Sequence, residues 1–218
     1  MMKYCAETAL PAMRRPAGME LKYMNCQNSR LILASGSPRR RELLARMGYT
    51  FETCSPDVDE HIPGHARDVV RTLAERKARA AAEGHDSGVV IAADTLVSLD
   101  GAALGKPASR DDARRMLREL SGREHEVFTG VCVIDCASGR EESRVARTGV
   151  RFRVLTDREI DDYVATGEPM DKAGAYAIQG GAGAFVESLD GSFENVMGFP
   201  VDVAGELLAG FGLSPDRE

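Results

Sequence analysis

The segment Gly88-Val-Val-Ile-Ala-Ala-Asp94 constrains the fold more than any other stretch of the chain. Its run from Val89 to Ala93 is the longest apolar run, far short of the roughly 18 residues that suggest a membrane span. It shows no alternation, so a strand there needs cover on both faces, the pattern of central strands in α/β sheets. The acid at its end then falls where open α/β sheets bind ligands, outside the carboxyl ends of strands.

The flanking sequence supplies that cover. Leu31-Ile-Leu-Ala34 predicts a short strand, and Ser37-Pro38 opens a helix with an apolar stripe at Leu43, Leu44 and Met47, ended by Gly48. Phe51 to Ser55 predicts a second strand. A longer helix over 67–82 carries Val70, Leu73, Ala74, Ala78 and Ala81 on one face. Ser109 caps a further helix with Asp111 and Asp112 in its positive first turn and Gly122 past its end. Strands are predicted over 127–135 and 144–155. In the latter Val150, Phe152 and Val154 alternate with Arg151 and Arg153, giving one wet face. Thr156 and Glu159 form a capping box before Ile160, Tyr163 and Val164, and 201–211 forms a closing helix. Strands interleaved with helices predict an α/β fold with a mixed sheet.

Of the 218 residues, 29–218 read as a single domain, since no repeat or Gly/Ser linker divides them. Residues 1–28 are polar, Met-rich and aperiodic, an N-terminal extension expected to be disordered. They lack the apolar core of a secretory signal, and Met19 or Met24 could be the start. Lys plus Arg number 28 against 34 for Asp plus Glu, a net charge of -6. Such a chain repels a nucleic acid polymer, but a few local arginines can still hold a small anion. Cys5, Cys26, Cys54, Cys132 and Cys136 contain no CxxC pair. They are expected to be free thiols in a reducing compartment, with Cys132 and Cys136 buried on one strand face.

Four features could carry chemistry. The turn Ser35-Gly36-Ser37 leaves backbone N–H groups free at a helix N-terminus. Arg39, Arg40 and Arg41 follow there and oppose the helix dipole. A phosphate chain would offset that repulsion; a solvated basic helix end with Glu42 as partial compensation is the alternative. Lys77 lies on the apolar stripe of its helix and either snorkels to an edge or reaches into a polar cleft. Asp94 can hold a divalent cation or take a proton from water, or simply cap a loop. Lys106, in Gly105-Lys-Pro107, and the acidic cluster Asp57, Asp59, Glu60 gain meaning only if they meet Asp94 in space. In the glycine-rich stretch 174–186, Ala177 to Gln179 has strand character. Gln179 there could read a base edge or sit exposed on a β-hairpin. His65, His85 and His125 sit in polar sequence and receive no role.

Several of these pieces, in order, are similar to the Maf family of septum-formation-associated nucleotide pyrophosphatases. They are Leu33-Ala-Ser-Gly-Ser-Pro-Arg-Arg40, Ala74-Glu-Arg-Lys-Ala78, Ala92-Ala-Asp-Thr95, Gly105-Lys-Pro107 and Leu120-Ser-Gly122. Asp171-Lys-Ala-Gly-Ala-Tyr176, Ile178-Gln-Gly180 and Asn195-Val-Met-Gly-Phe-Pro200 continue the match, which spans about 30–211. The resemblance implies an elongated α/β fold with a mixed sheet and two lobes about a central substrate cleft. It implies hydrolysis of nucleoside triphosphates to monophosphate and pyrophosphate with a divalent cation (Mg²⁺ or Mn²⁺), in the cytoplasm, by a homodimer. House-cleaning of nucleotide pools and a link to septum formation come with it. The proton acceptor falls on Asp94 and the phosphate-contacting positions on Ser35, Arg39, Arg40, Lys77 and Lys106. The acidic partner and second metal-holding carboxylate falls on Glu60. Base-selecting positions fall on Arg39, Thr95 and Gln179, in the pattern of the branch that prefers dTTP and UTP. The rival readings are a nucleotide-binding regulator without turnover and a pyrophosphatase for modified nucleotides such as 7-methyl-GTP.

Overall fold

The computed structural model describes residues 30–216. The predicted extension 1–28, Cys5, Cys26, Met19 and Met24 lie outside the described residues. The element order is β1 (Leu31–Ala34), α1 (Pro38–Arg46), β2 (Phe51–Cys54), α2 (Ala66–Ala82), β3 (Val89–Leu99), β4 (Ala102–Leu104) and α3 (Arg110–Leu120). It continues with β5 (Glu124–Asp135), β6 (Glu141–Phe152), α4 (Asp157–Ala165), β7 (Val186–Asp190), α5 (Phe193–Val196) and α6 (Val201–Gly210). One mixed sheet in the order β2-β1-β3-β5-β6-β7 is flanked by helices, with β4 paired to β3 off that path.

β3 is the spine of the sheet. Its first residues, Val89 to Ala92, pair in parallel with β1, and Val97 to Leu99 pair antiparallel with β4. β5 occupies the other edge from Val89 to Ser98, so β1 and β4 share one edge of β3. Between them, residues 93–96 have no strand on that edge. Asp94 therefore lies in the middle of a long strand, not at a strand end as the sequence predicts. It still stands just past the carboxyl ends of the parallel β1 and β2, which stop at Ala34 and Cys54. The ligand-binding rule for strand ends applies through the neighbours of β3.

Two apolar layers cover the sheet. The larger is built from alternate residues of the strands, such as Leu33, Ile91, Val131 and Phe152, packed on α1, α3, α4 and α6. The smaller is alanine-rich, with Ala74, Ala78 and Ala81 of α2 on Ile32, Val90, Ala92 and Cys132. Small side chains let α2 lie close, and Gly130 on β5 is a point of tight approach. A methyl group there would overlap the Val70 carbonyl. Gly130 is also the cross-strand partner of Asp94, so the tight approach of α2 occurs beside the acid.

Several expectations need correction. β5 starts at Glu124, and β6 spans Glu141–Phe152 and not 144–155. Val154 consequently falls off the strand and is 77% exposed, whereas Val150 and Phe152 are buried. Ser37 occupies the N-cap of α1 without a side-chain cap bond. Residues 174–185 form neither strand nor hairpin: 3₁₀ segments at Ala173–Ala175 and Gly181–Phe185 flank a turn around Gln179, and Val186 opens β7. His125 is buried among Phe152 and Tyr176 and not in polar surroundings. Two strands, β4 and β7, were not predicted. The described cysteines Cys54, Cys132 and Cys136 are free; Cys132 is buried and Cys136 half-buried, both against the smaller layer.

Candidate active site

The open edge of β3 forms the floor of a cleft of about 840 Å³, within the range of small-molecule sites. Every residue to which the resemblance assigns a role lines it: Ser35, Arg39, Arg40, Glu60, Lys77, Asp94, Thr95, Lys106 and Gln179; the other candidates Arg41, Asp57 and Asp59 do not. The cleft has two chemically distinct ends.

At one end stand the charges. Asp94 is 8% exposed, and the side chain of Lys77 is 13% exposed. The apolar stripe of α2 is pressed on the sheet, so a lysine on that stripe points at β3. Lys77 Nζ donates to Asp94 Oδ1 and to Glu60 Oε1, each at 2.6 Å. It reaches into the cleft and does not snorkel outward. The Lys77 hydrogen bond holds the Glu60 carboxyl below the ordinary glutamate range; burial works against that, and the charges of Lys77, Lys106 and Arg40 add to it. Lys106 enters from the turn after β4, on a separate segment from both Lys77 and the arginines.

Arg40, from the first turn of α1, spans the cleft floor. Its Nε donates to the Gly198 carbonyl at 2.8 Å, Nη2 to Thr95 Oγ1 at 3.1 Å and Nη1 to Ser35 Oγ at 3.3 Å. Three of its five N–H groups are thus committed to the protein. Desolvation lowers its pKa, and the charge of Asp94 opposes that shift. Ser35 Oγ also accepts the Ser37 N–H at 3.2 Å. No acid occupies the first turn of α1. Arg39 is half-buried on the same turn, and Arg41 is exposed.

The donor set suits a hard divalent cation of the Mg²⁺ type. Such ions take one or two carboxylates and complete their shell with water and substrate phosphates. Glu60 and Asp94 supply two carboxylates bridged by one lysine, which engages a single oxygen of each. Among the described residues no group of three His, Cys, Asp or Glu side chains could make an all-protein cage.

The other end is lined by Thr95 on β3 and by the turns that carry Asp171, Lys172, Tyr176 and Gln179. Thr95 Oγ1 accepts from Arg40 and lies 3.0 Å from Thr129 Oγ1, which donates to the Asn195 carbonyl at 3.1 Å. The hydroxyl of Thr95 is therefore tied into the protein. Buried Asn195 donates through Nδ2 to the Val127 carbonyl at 3.1 Å and Thr148 Oγ1 at 3.0 Å. Gln179 is exposed on the rim, and Tyr176 and Ala177 form the wall below it.

Asp171, Lys172 and Tyr176 also line the cleft and were given no role from the sequence. The side chain of Lys172 is mostly buried beside Asp171, its ion-pair partner. The segment Asp171–Tyr176 was visible as a motif, but nothing in its residue pattern says that it turns toward Asp94.

The family profile described as Maf-like protein matches residues 30–211. A dTTP/UTP pyrophosphatase of Anaeromyxobacter dehalogenans is 55% identical over 194 residues, covering 86% of this chain and 98% of the relative. A dTTP/UTP pyrophosphatase of Moorella thermoacetica is 51% identical over 189 residues, covering 85% and 96%. One of Bdellovibrio bacteriovorus is 48% identical over 189 residues, covering 83% and 98%.

Proposed function

The chain belongs to the Maf-like protein family, and from that premise we propose that it hydrolyses dTTP and UTP to the nucleoside monophosphate and pyrophosphate. One observation carries the reading at the level of chemistry. Cations from separate segments (Arg39 and Arg40 on α1, Lys77 on α2, Lys106 after β4) meet in one cleft with Asp94. A triphosphate carries about four negative charges, and such a cluster can spread the charge that develops as pyrophosphate departs.

In this mechanism the triphosphate lies along the charged end, with α-phosphorus near Asp94. Arg39 and Lys106 hold phosphate oxygens, helped by the free N–H groups at the start of α1 and by the two uncommitted N–H groups of Arg40. Asp94 takes a proton from water as the water oxygen bonds to α-phosphorus, and the bond from that phosphorus to the bridging oxygen breaks. Lys77 aims Asp94 through its hydrogen bond and can shift a hydrogen bond to the phosphate. Glu60 and Asp94 would hold a Mg²⁺ or Mn²⁺ ion, which when bound supplies further neutralisation of the phosphate oxygens. Gln179 faces the base, where its paired donor and acceptor match the edge shared by thymine and uracil.

The enzyme works on free nucleotides and not on a nucleic acid polymer, in keeping with its net charge of -6. No helix among the described residues is long and apolar enough to cross a membrane. Family membership supports a cytoplasmic place and a homodimer.

A single assay tests the reading. Pyrophosphate release is followed with dTTP, UTP, CTP, GTP and 7-methyl-GTP, with Mg²⁺ or Mn²⁺ supplied. dTTP and UTP are expected to turn over fastest. Thermal stabilisation by nucleotide with no product would make the protein a regulator, and preference for 7-methyl-GTP would make it a modified-nucleotide enzyme.

A further inference from the structure

Beneath the turn that carries Gln179 lies a polar support that the reaction itself does not use. Tyr163, on the last turn of α4, is buried, yet its hydroxyl makes two hydrogen bonds. It donates to Glu168 Oε1 at 2.8 Å and accepts from the Ala177 N–H at 3.0 Å. The second Glu168 oxygen accepts the Gly181 N–H at 3.4 Å. Two backbone amides, two residues before Gln179 and two after it, are thus tied to one tyrosine–glutamate pair.

The packing is as tight as the hydrogen bonding. A methyl group on Gly180 would overlap the Glu168 carboxylate, and one on Gly181 would sit 3.2 Å from the Tyr163 ring. The turn therefore lies flat on the pair, with only Gln179 standing off it toward the cleft. The support is itself fixed. Thr166 Oγ1 donates to the Tyr163 carbonyl at 2.6 Å and accepts the Glu168 N–H at 3.1 Å. The Tyr163 ring meets Phe185 edge to face at 5.2 Å. The Gln179 amide makes no hydrogen bond to protein among the described residues, so its direction is set by the backbone that carries it.

We propose that Tyr163 and Glu168 are positioning residues that fix the Gln179 turn and thereby set discrimination between bases. The proposal rests on the reading that Gln179 faces the base. A rigid backbone makes the amide a selective reader, because a mismatched base then leaves its donor or acceptor unpaired. A loose turn would let the same amide rotate or withdraw and accept any base.

The test compares Tyr163→Phe, Glu168→Ala and Gln179→Ala, with kcat and KM measured for UTP, dTTP, CTP and GTP. Each of the three should raise KM for UTP and dTTP and cut their preference over CTP and GTP roughly tenfold. In the two support variants kcat on UTP should stay within about threefold, because the charged end is untouched. Glu168→Gln, which keeps one carbonyl acceptor, should recover part of the preference. Adding Tyr163→Phe to Gln179→Ala should cost no further selectivity, since the support then has nothing to aim. Tyr163→Phe keeps the buried ring and its Phe185 contact, so it remains a folded probe if Glu168→Ala does not. If Gln179→Ala shifts the preference while Tyr163→Phe and Glu168→Gln leave it unchanged, the positioning role is wrong and the base reading stands. An unchanged preference in Gln179→Ala itself would overturn the base reading, and the positioning role with it.

Discussion

The two ends of the cleft are built by different means. At the charged end Lys106 follows β4 closely and Glu60 comes from the loop between β2 and α2, while most of the decisive side chains sit on regular elements: Asp94 on β3, Lys77 on α2, Arg39 and Arg40 on the first turn of α1. Their directions follow from the strand and helix periods and from the apolar faces that press those elements together. At the base end the wall is a succession of turns between Gly167 and Phe185. Its shape comes from side chains that reach up from below: Tyr163 and Glu168 under the Gln179 turn, and His125 bonded to the Tyr176 hydroxyl at 2.9 Å. One end is a product of secondary structure, the other of buried polar contacts. Chemistry should therefore depend on the first end, and selectivity and acid sensitivity on the second.

The largest break in that contrast comes from Asp94→Asn. The amide keeps the size of the acid but cannot take a proton from water, and it leaves Lys77 with Glu60 as its one carboxylate partner. Turnover should fall roughly 10³-fold with every nucleotide, and the ratio of UTP to GTP hydrolysis should stay near its starting value. Steady-state kinetics across the nucleotide panel reads both quantities. Near-normal kcat would remove Asp94 from the chemistry, and a changed ratio would show that the two ends are not separable.

The same contrast explains what the sequence revealed. Lys77 was legible because a cation on an apolar helical stripe breaks a pattern that is otherwise strict. The packing of Ala74 and Ala78 then dictates where it points. Asp94 was legible as the acid after an apolar run, although its place in the middle of β3 was not. Past Asp94 that strand continues on β5 as far as Ser98 and gains β4 on its other edge, which returns through Asp100-Gly101. Both residues have positive φ, +51° and +83°, as a two-residue hairpin turn demands, and the Asp-Gly pair was the available signal. His125 was misread because Glu124 and Glu126 flank it. Alternation along β5 nonetheless puts it on the face of buried Val127. Nothing comparable marks the base end. The glycine-rich stretch marks Gln179 as a possible base reader or an exposed side chain, and the family resemblance adds base selection, but no period links Tyr163 to Ala177, so nothing marks its support.

A middle-sized effect should expose the buried polar wall directly. His125 is 2% exposed, and desolvation lowers its pKa from the usual 6.5 to about 4. The unfolded chain takes up this proton near pH 6.5, while the folded chain resists until about pH 4. Between those values the unfolded state binds more protons, so acid favours unfolding. The neutral-histidine contribution is intact above pH 6.5, falls as pH drops through that window and is gone below about 4. The loss is on the order of 3 kcal/mol. Urea denaturation near pH 7 and near pH 4.5 should show a steeper acid loss in the native protein than in His125→Leu. That variant gives up the Tyr176 hydrogen bond at both values and so isolates the titration. Equal acid losses in the two proteins would deny His125 this role and leave the base end no more acid-sensitive than the charged end.

The smallest effect tests how local the base end is. The capping box at the start of α4 is formed as the sequence predicts. The Thr156 N–H donates to Glu159 Oε2 at 2.8 Å and the Glu159 N–H to Thr156 Oγ1 at 3.3 Å. Arg153 also donates to Glu159, and these bonds, led by that of Arg153, lower the Glu159 pKa to about 2. Thr156→Ala should cost about 1 kcal/mol of stability, measured as a shift in the denaturation midpoint. It should leave the UTP-to-GTP ratio alone. Tyr163 lies about two turns further on, held by its own burial beside Ile160 and Val164 and by the Thr166 and Glu168 contacts beyond the helix end. Fraying at the far end does not reach a hydroxyl anchored in that way. If Thr156→Ala altered the ratio as much as Tyr163→Phe, selectivity would belong to α4 as a whole and not to one hydroxyl. The base end would then share with the charged end a dependence on regular structure, and the division between the two would fail.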